Sequence, residues 1–136
     1  MAATAVKTGF GSTLKKGATA VAELKSISHA GHKLNFSDAS NMDSPDGYEE
    51  FIAGLGSGGQ FVCEGNYLNT GGQATLLTDL QAKTKASWAV VMGPPGSPVV
   101  TITADCYVES LEPSAKYNEP LAFSATLKIT GKPVYS

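Results

Sequence analysis

Between residues 121 and 130 the chain alternates with almost no exception. Leu121, Phe123, Ala125, Leu127 and Ile129 are interleaved with Ala122, Ser124, Thr126, Lys128 and Thr130. A period of two fits a β-strand with one buried and one wetted face, and no helix can reproduce it. The same pattern recurs upstream. Val99 to Leu111 sets Ile102, Ala104, Cys106 and Val108 against Thr101, Thr103, Asp105, Tyr107 and Glu109. Ser87 to Met92 places Trp88, Val90 and Met92 on one side, and Gln60 to Tyr67 places Phe61 and Cys63 opposite Val62 and Glu64. One segment has helical spacing. Ala74, Leu76, Leu77 and Leu80 form a stripe that predicts a helix from Gln73 to Lys83, with Asp79 and Lys83 as an i,i+4 pair. Thr70 and Gln73 resemble a capping box in front of it. The expected fold is mainly β: a β-sandwich or open barrel of about seven strands with one flanking α-helix.

The N-terminal half is less regular. Thr19 to Ile27 and His32 to Ser40 read as strands joined by a Ser28–Gly31 turn, a hairpin with Leu34 and Phe36 on one face. Residues 41–59 then read as a long mobile loop, a feature compact domains seldom carry without a function. Ser44-Pro45-Asp46-Gly47 fits a type I turn. Tyr48, Phe51, Ile52 and Leu55 are apolar residues in need of a partner surface, interleaved with Glu49 and Glu50. Gly54, Gly56, Gly58 and Gly59 are expected to act as the loop's hinge. Gly93 to Pro98 reads as a rigid turn, and Glu112 to Pro120 as a polar connection. Residues 1–17, with Lys7, Lys15 and Lys16 and no acid, are expected to be a flexible N-terminal arm in front of a single 18–136 domain. From Asp38 to Glu64 the bias reverses: Asp38, Asp43, Asp46, Glu49, Glu50 and Glu64, with no lysine. Basic arm on acidic loop is one way for copies to attract.

The chain of 136 residues suffices for one core. Its net charge of −2 and the absence of arginine argue against nucleic-acid reading or phosphoryl chemistry. The N-terminal residues lack the apolar run of a secretory signal, and no stretch is long enough for a membrane-spanning helix. Cys63 and Cys106 occupy inward strand positions, so they read as buried free thiols. Gly54 to Gly59 matches G-x-G-x-x-G, but a strand follows it where a dinucleotide site needs a helix. His29 and His32 read as solvated turn residues, and the acids of the loop lack calcium-loop spacing. No catalytic constellation, metal site or cofactor is expected.

The order S-P-D-G-Y, two polar residues, F-I-x-G-L, G-G and then a strand with E-G-x-Y spans Ser44 to Tyr67. Further on come a short helix, a Trp strand, a long strand ending Val108-Glu109-Ser110-Leu111 and a closing strand leading into Thr130-Gly131-Lys132-Pro133. Over residues 18–134 this resembles the tail tube (major tail) proteins of long-tailed, non-contractile bacteriophages. The resemblance implies a structural virion protein whose six copies close into a ring. Rings stack head to tail into the conduit for genome delivery, and four strands per subunit pair edge to edge around the lumen. It implies tape measure, tail terminator and distal tail proteins as partners. DNA would pass without specific binding, without membrane insertion, in a virion tail assembled in the bacterial host cytoplasm. It assigns ring contacts to the loop carrying Asp43, Pro45, Asp46, Gly47, Tyr48, Glu49, Glu50, Phe51, Ile52 and Leu55. The helix would lie outside the barrel. Thr101, Thr103, Asp105, Ser124, Thr126 and Lys128 are candidate lumen residues. Two other readings stand beside it. One is a tube protein of a contractile injection or secretion system. The other is a carbohydrate-binding or adhesion β-sandwich, using Trp88 and Tyr107 as a stacking platform.

Overall fold

The computed structural model describes residues 10–21, 23–68, 71–94, 96 and 98–136. Nine strands and one α-helix are placed among them. They are β1 (Thr13–Lys16), β2 (Thr19–Ala20), β3 (Leu24–Ala30), β4 (Lys33–Asp38), β5 (Phe51–Ser57), β6 (Gln60–Asn66), α1 (Gly71–Ala82), β7 (Ala86–Met92), β8 (Val100–Ser114) and β9 (Ala122–Tyr135). Seven strands make one antiparallel half-barrel sheet in the order β2-β1-β7-β8-β9-β6-β3. β4 and β5 pair only with each other, as a separate two-stranded ribbon.

Alternation decides which face is buried. Trp88, Val90, Ile102, Ala104, Cys106, Val108, Phe123, Ala125, Leu127, Ile129, Phe61 and Cys63 all enter one core, joined by Leu14 of β1 and Leu76 of α1. A bulge between Val108 and Ser110 leaves Glu109 unpaired. It also restores Leu111 to the core side, opposite Ala125. Burial pushes both thiols up to about 12, which keeps Cys63 and Cys106 protonated and inert.

The helix departs from its expected stripe. It begins at Gly71 rather than Gln73, and its buried positions are Gly72, Gln73, Leu76 and Asp79. Gln73 is inward because its amide is satisfied there: it accepts from the Leu68 amide at 2.7 Å and donates to the Asn66 carbonyl at 2.9 Å. Asp79 does not pair with Lys83. It receives Lys16 Nζ at 2.8 and 3.0 Å, with only 5% of its side chain exposed. Lys83 instead takes φ +57°, and the Thr84 amide bonds back to the Asp79 carbonyl, a left-handed helix stop. Thr70 of the proposed capping box, and Pro95 and Ser97 of the proposed turn, lie outside the described residues.

Lys16 also corrects the N-terminal boundary. Thr13–Lys16 pairs with β7, and Leu14 is fully buried, so residues 13–16 belong to the folded body and not to an arm ending at residue 17. Lys7 lies outside the described residues. The predicted Thr19–Ile27 strand is two strands, broken where Glu23 takes φ +62°. Glu112, expected in a connection, still belongs to β8.

Candidate self-assembly surface

Register exposes how the ribbon is built. Ala30 pairs with Gln60 in the body, and Lys33 pairs with Ser57 in the ribbon. Each pair sums to the same value, so β3–β4 and β5–β6 form one long hairpin in continuous register. The chain does not reverse at Ser28–Gly31 as expected. It kinks there, with Gly31 at φ +77°, opposite a matching kink at Gly58–Gly59. The ribbon therefore projects from the body like a bent extension of β3 and β6.

The four supposed hinge glycines divide in two. Gly54 and Gly56 lie inside β5, where the register slips by one residue between Leu34 and Phe36. Gly58 and Gly59 are buried at the root by close approach. A Cβ on Gly58 would stand 2.6 Å from Ile129 Cγ2 and 2.8 Å from the Gly131 carbonyl oxygen. One on Gly59, whose φ is +79°, would overlap the Ala30 carbonyl. Their lack of a side chain lets backbones pack, which fixes the ribbon's exit and does not loosen it. Gly59→Ala should destabilise the fold by at least about 2 kcal/mol, through strain and overlap together. Gly54→Ala, with only an ordinary 3.4 Å contact to the Asn35 carbonyl, should change little. Paired urea titrations of the two variants check this.

Side chains brace the same root. His29 Nδ1 lies 2.5 Å from Tyr135 Oη, and His29 Nε2 lies 2.6 Å from the Gly58 carbonyl. That carbonyl can only accept, so Nε2 carries a proton. The His29 ring stacks on His32 at 5.2 Å and meets Phe61 edge-on. The two histidines are thus a structural clasp on the ribbon, not the independent solvated turn residues expected from the sequence.

Beyond the root, the ribbon finds almost nothing among the described residues to cover it. Every residue of β4 is exposed, as is β5 up to Gly56. Tyr48 is 76% exposed, Phe51 58%, Ile52 60% and Leu55 86%, with Phe36 at 63% beside them. Phe51 faces Asp38 and stacks edge-on with Phe36, while Ile52 faces Ser37, so the two faces each carry an apolar side chain. A single body surface can cover one face of a ribbon, not two. The strand spacing that placed Phe51 and Ile52 was present in the sequence. The surrounding glycines masked it, because they weaken the strand signal.

Residues 39–50 close the ribbon's far end as a hydrogen-bonded loop. The Ser40 side chain, and after it the Ser40 amide that donates to Asp38 Oδ1 at 2.8 Å, hold the Asp38 carboxyl below its ordinary value. Ser44 Oγ donates to Glu50 Oε2 at 3.0 Å, and the Glu50 amide donates to Ser40 Oγ at 2.7 Å. Pro45–Gly47 is a tight turn in which Asp46 takes φ +56° and Gly47 φ +73°, closed by the Tyr48 amide on the Pro45 carbonyl. A type I turn needs a negative φ at Asp46, so the expected turn type is replaced.

The sheet's other face is polar. Thr101, Thr103 and Asp105 of β8 share it with Ser124, Thr126 and Lys128 of β9, and register sets Tyr107 beside Lys128 and Asp105 beside Thr130. α1 lies on the opposite, core side, where Leu76 is buried. Trp88 is also there and wholly buried, so it offers no stacking platform. Among the described residues no group of three or more metal-binding side chains gathers, and no helix is long and apolar enough to cross a membrane.

No family model matches the chain, and no curated protein matches it in sequence. Solved structures do match in fold. A chain from the virion of a native gene transfer agent particle superposes with a TM-score of 0.80 at 12% identity, covering 96% of this chain and 99% of that one. A chain from the tail of an empty gene transfer agent particle, refined with helical and C6 symmetry, gives 0.72 at 13%, over 86% and 84%. A chain from the sheath–tube complex of an extracellular contractile injection system, in its extended state, gives 0.73 at 10%, over 97% and 92%. At such identities the likeness is one of fold. The fold is that of subunits from phage-like tails and injection tubes, a structural class. One of the matched chains comes from a sheath–tube complex, so the fold does not single out the non-contractile phages.

Proposed function

We infer that this chain is the repeating subunit of a hollow tail tube. Six copies close into a ring, and rings stack head to tail. The observation that carries the reading is the ribbon: a folded body projects a two-stranded extension with large apolar residues on both faces and nothing among the described residues to cover them. Patches of this kind mark protein contacts. The half-barrel sheet adds further incomplete borders, because among the described residues β2 and β3 are its unpaired edges. Joining edges around a ring removes a liability that would otherwise invite aggregation.

In this reading the polar face with Thr101, Thr103, Asp105, Ser124, Thr126 and Lys128 lines the channel, and α1, on the opposite side of the sheet, faces outward. Residues 41–59 and the segment before Thr13 make the ring-to-ring contacts. With few charges and no arginine, the channel face offers transiting DNA no bidentate phosphate clamp. Tape measure, terminator and distal tail proteins would complete the structure in a virion tail assembled in the host cytoplasm. No step calls for catalysis or a cofactor.

The contractile-machine version stays beside the phage version, favoured by the likeness to the sheath–tube chain. Both predict the same test. Concentrated pure protein, alone or seeded with tail initiators, should form hollow tubes of uniform width by negative-stain microscopy. Particles that stay monomeric under every condition would remove the reading.

A further inference from the structure

We propose that the acidic tip of one copy's ribbon docks into a basic notch at the root of the next copy's ribbon, and that this tip-to-root contact repeats along the assembly. It rests on the tube reading and specifies which surfaces meet. The notch lies where β5 leaves β9, lined by His32, Ser57, Gly58, Thr130 and Lys132. Lys33, next to His32, pairs across the ribbon with Ser57. Lys33, His32 and Lys132 are all exposed. Among the described residues the ion pairs are Lys16–Asp79 and Lys116–Glu119, so neither Lys132 in the notch lining nor Lys33 beside it is engaged in one.

The tip is the complement. Asp43, Asp46 and Glu49 are exposed and carry no ion pair or side-chain hydrogen bond among the described residues. Asp38 and Glu50, in contrast, are used inside the loop. No lysine lies between Asp38 and Glu64 to neutralise them. Tyr48 and Met42 stand exposed on the same loop and add apolar area to the charge.

Distance makes the contact intermolecular. The six residues of β4 separate root from tip by about 20 Å at the usual rise of a strand. A tip therefore cannot fold back onto its own root. Tip on root joins two different surfaces, which generates an open array when the operation does not close. The basic N-terminal positions are a poorer receptor, because Lys16 is already held by Asp79.

Charge reversal in two places tests this. A tip variant (Asp43→Lys, Asp46→Lys, Glu49→Lys) and a root variant (Lys33→Glu, Lys132→Glu) should each keep the wild-type melting temperature within a few degrees. Each alone should lose tube growth under conditions where the wild type assembles, and the chain carrying all five changes should regain it. Separately, Asp46→Cys with Lys132→Cys should give an intermolecular disulfide ladder on non-reducing gels of assembled protein. Cys63 and Cys106 are buried and should not compete. A root variant that polymerises like the wild type, or tubes that form without the cross-link, would place the tip elsewhere and overturn the proposal while leaving the tube reading intact. A wild type that never polymerises removes both.

Discussion

Lys16→Met should lower the melting temperature by roughly 10 °C. Lys16 Nζ makes two bonds to the Asp79 carboxylate, whose side chain is 5% exposed, while the lysine itself is 32% exposed. Removing one partner of a buried pair leaves an uncompensated charge, a loss of ~3–5 kcal/mol where burial is complete. Water reaches the lysine side, so about 2–3 kcal/mol is the better figure here. For a domain of this size each kcal/mol moves the midpoint by several degrees. The effect also has a location. β1 reaches the helix through this bond, so its loss frees Thr13–Lys16 from α1. Adding Asp79→Leu should return much of the stability, because the orphaned carboxylate is then gone. Thermal unfolding followed by circular dichroism decides it: a single variant that melts within a degree or two of wild type would mean the pair contributes nothing. The N-terminal lysines, expected from their charge to draw copies together, thus include one, Lys16, with a role in folding.

The second large effect concerns assembly and leaves folding alone. Phe51→Ala with Ile52→Ala should not change the melting temperature by more than a degree or two, because both side chains already lie in water. If the ribbon is an assembly element, each would bury its apolar surface only against another copy. Full burial of such a side chain contributes roughly 1.5–3 kcal/mol. Losing two per contact, ~3 kcal/mol at the low end, should raise the concentration needed for tube growth about a hundredfold. Sedimentation of polymer across a concentration series measures it. Two outcomes would contradict the argument. Unfolding of the double variant would mean that the ribbon packs into its own body. Unchanged growth would mean that the contacts lie elsewhere on the subunit.

The body of this fold was legible in the residues. Leu121 to Ile129 and Ile102 to Val108 state by alternation which face is buried, and the structure buries those side chains except Leu121, which is 53% exposed just before β9 begins. Trp88, Phe61 and the two cysteines follow the same rule. Local pattern suffices there because the side-chain period is a property of the strand itself.

What the sequence determined, then, is the β character, the core face of the main sheet, one helix, and a cluster of apolar residues at Tyr48 to Leu55 without a local partner. Only the tertiary structure decided that residues 24–66 are one kinked hairpin, that Gly58 and Gly59 are packing sites, that His29 clasps Tyr135 and Gly58, and that Asp79 turns inward to Lys16. The physical reason is common to all four. Each depends on a contact between groups far apart in the chain, and such contacts leave no periodic trace among neighbouring residues.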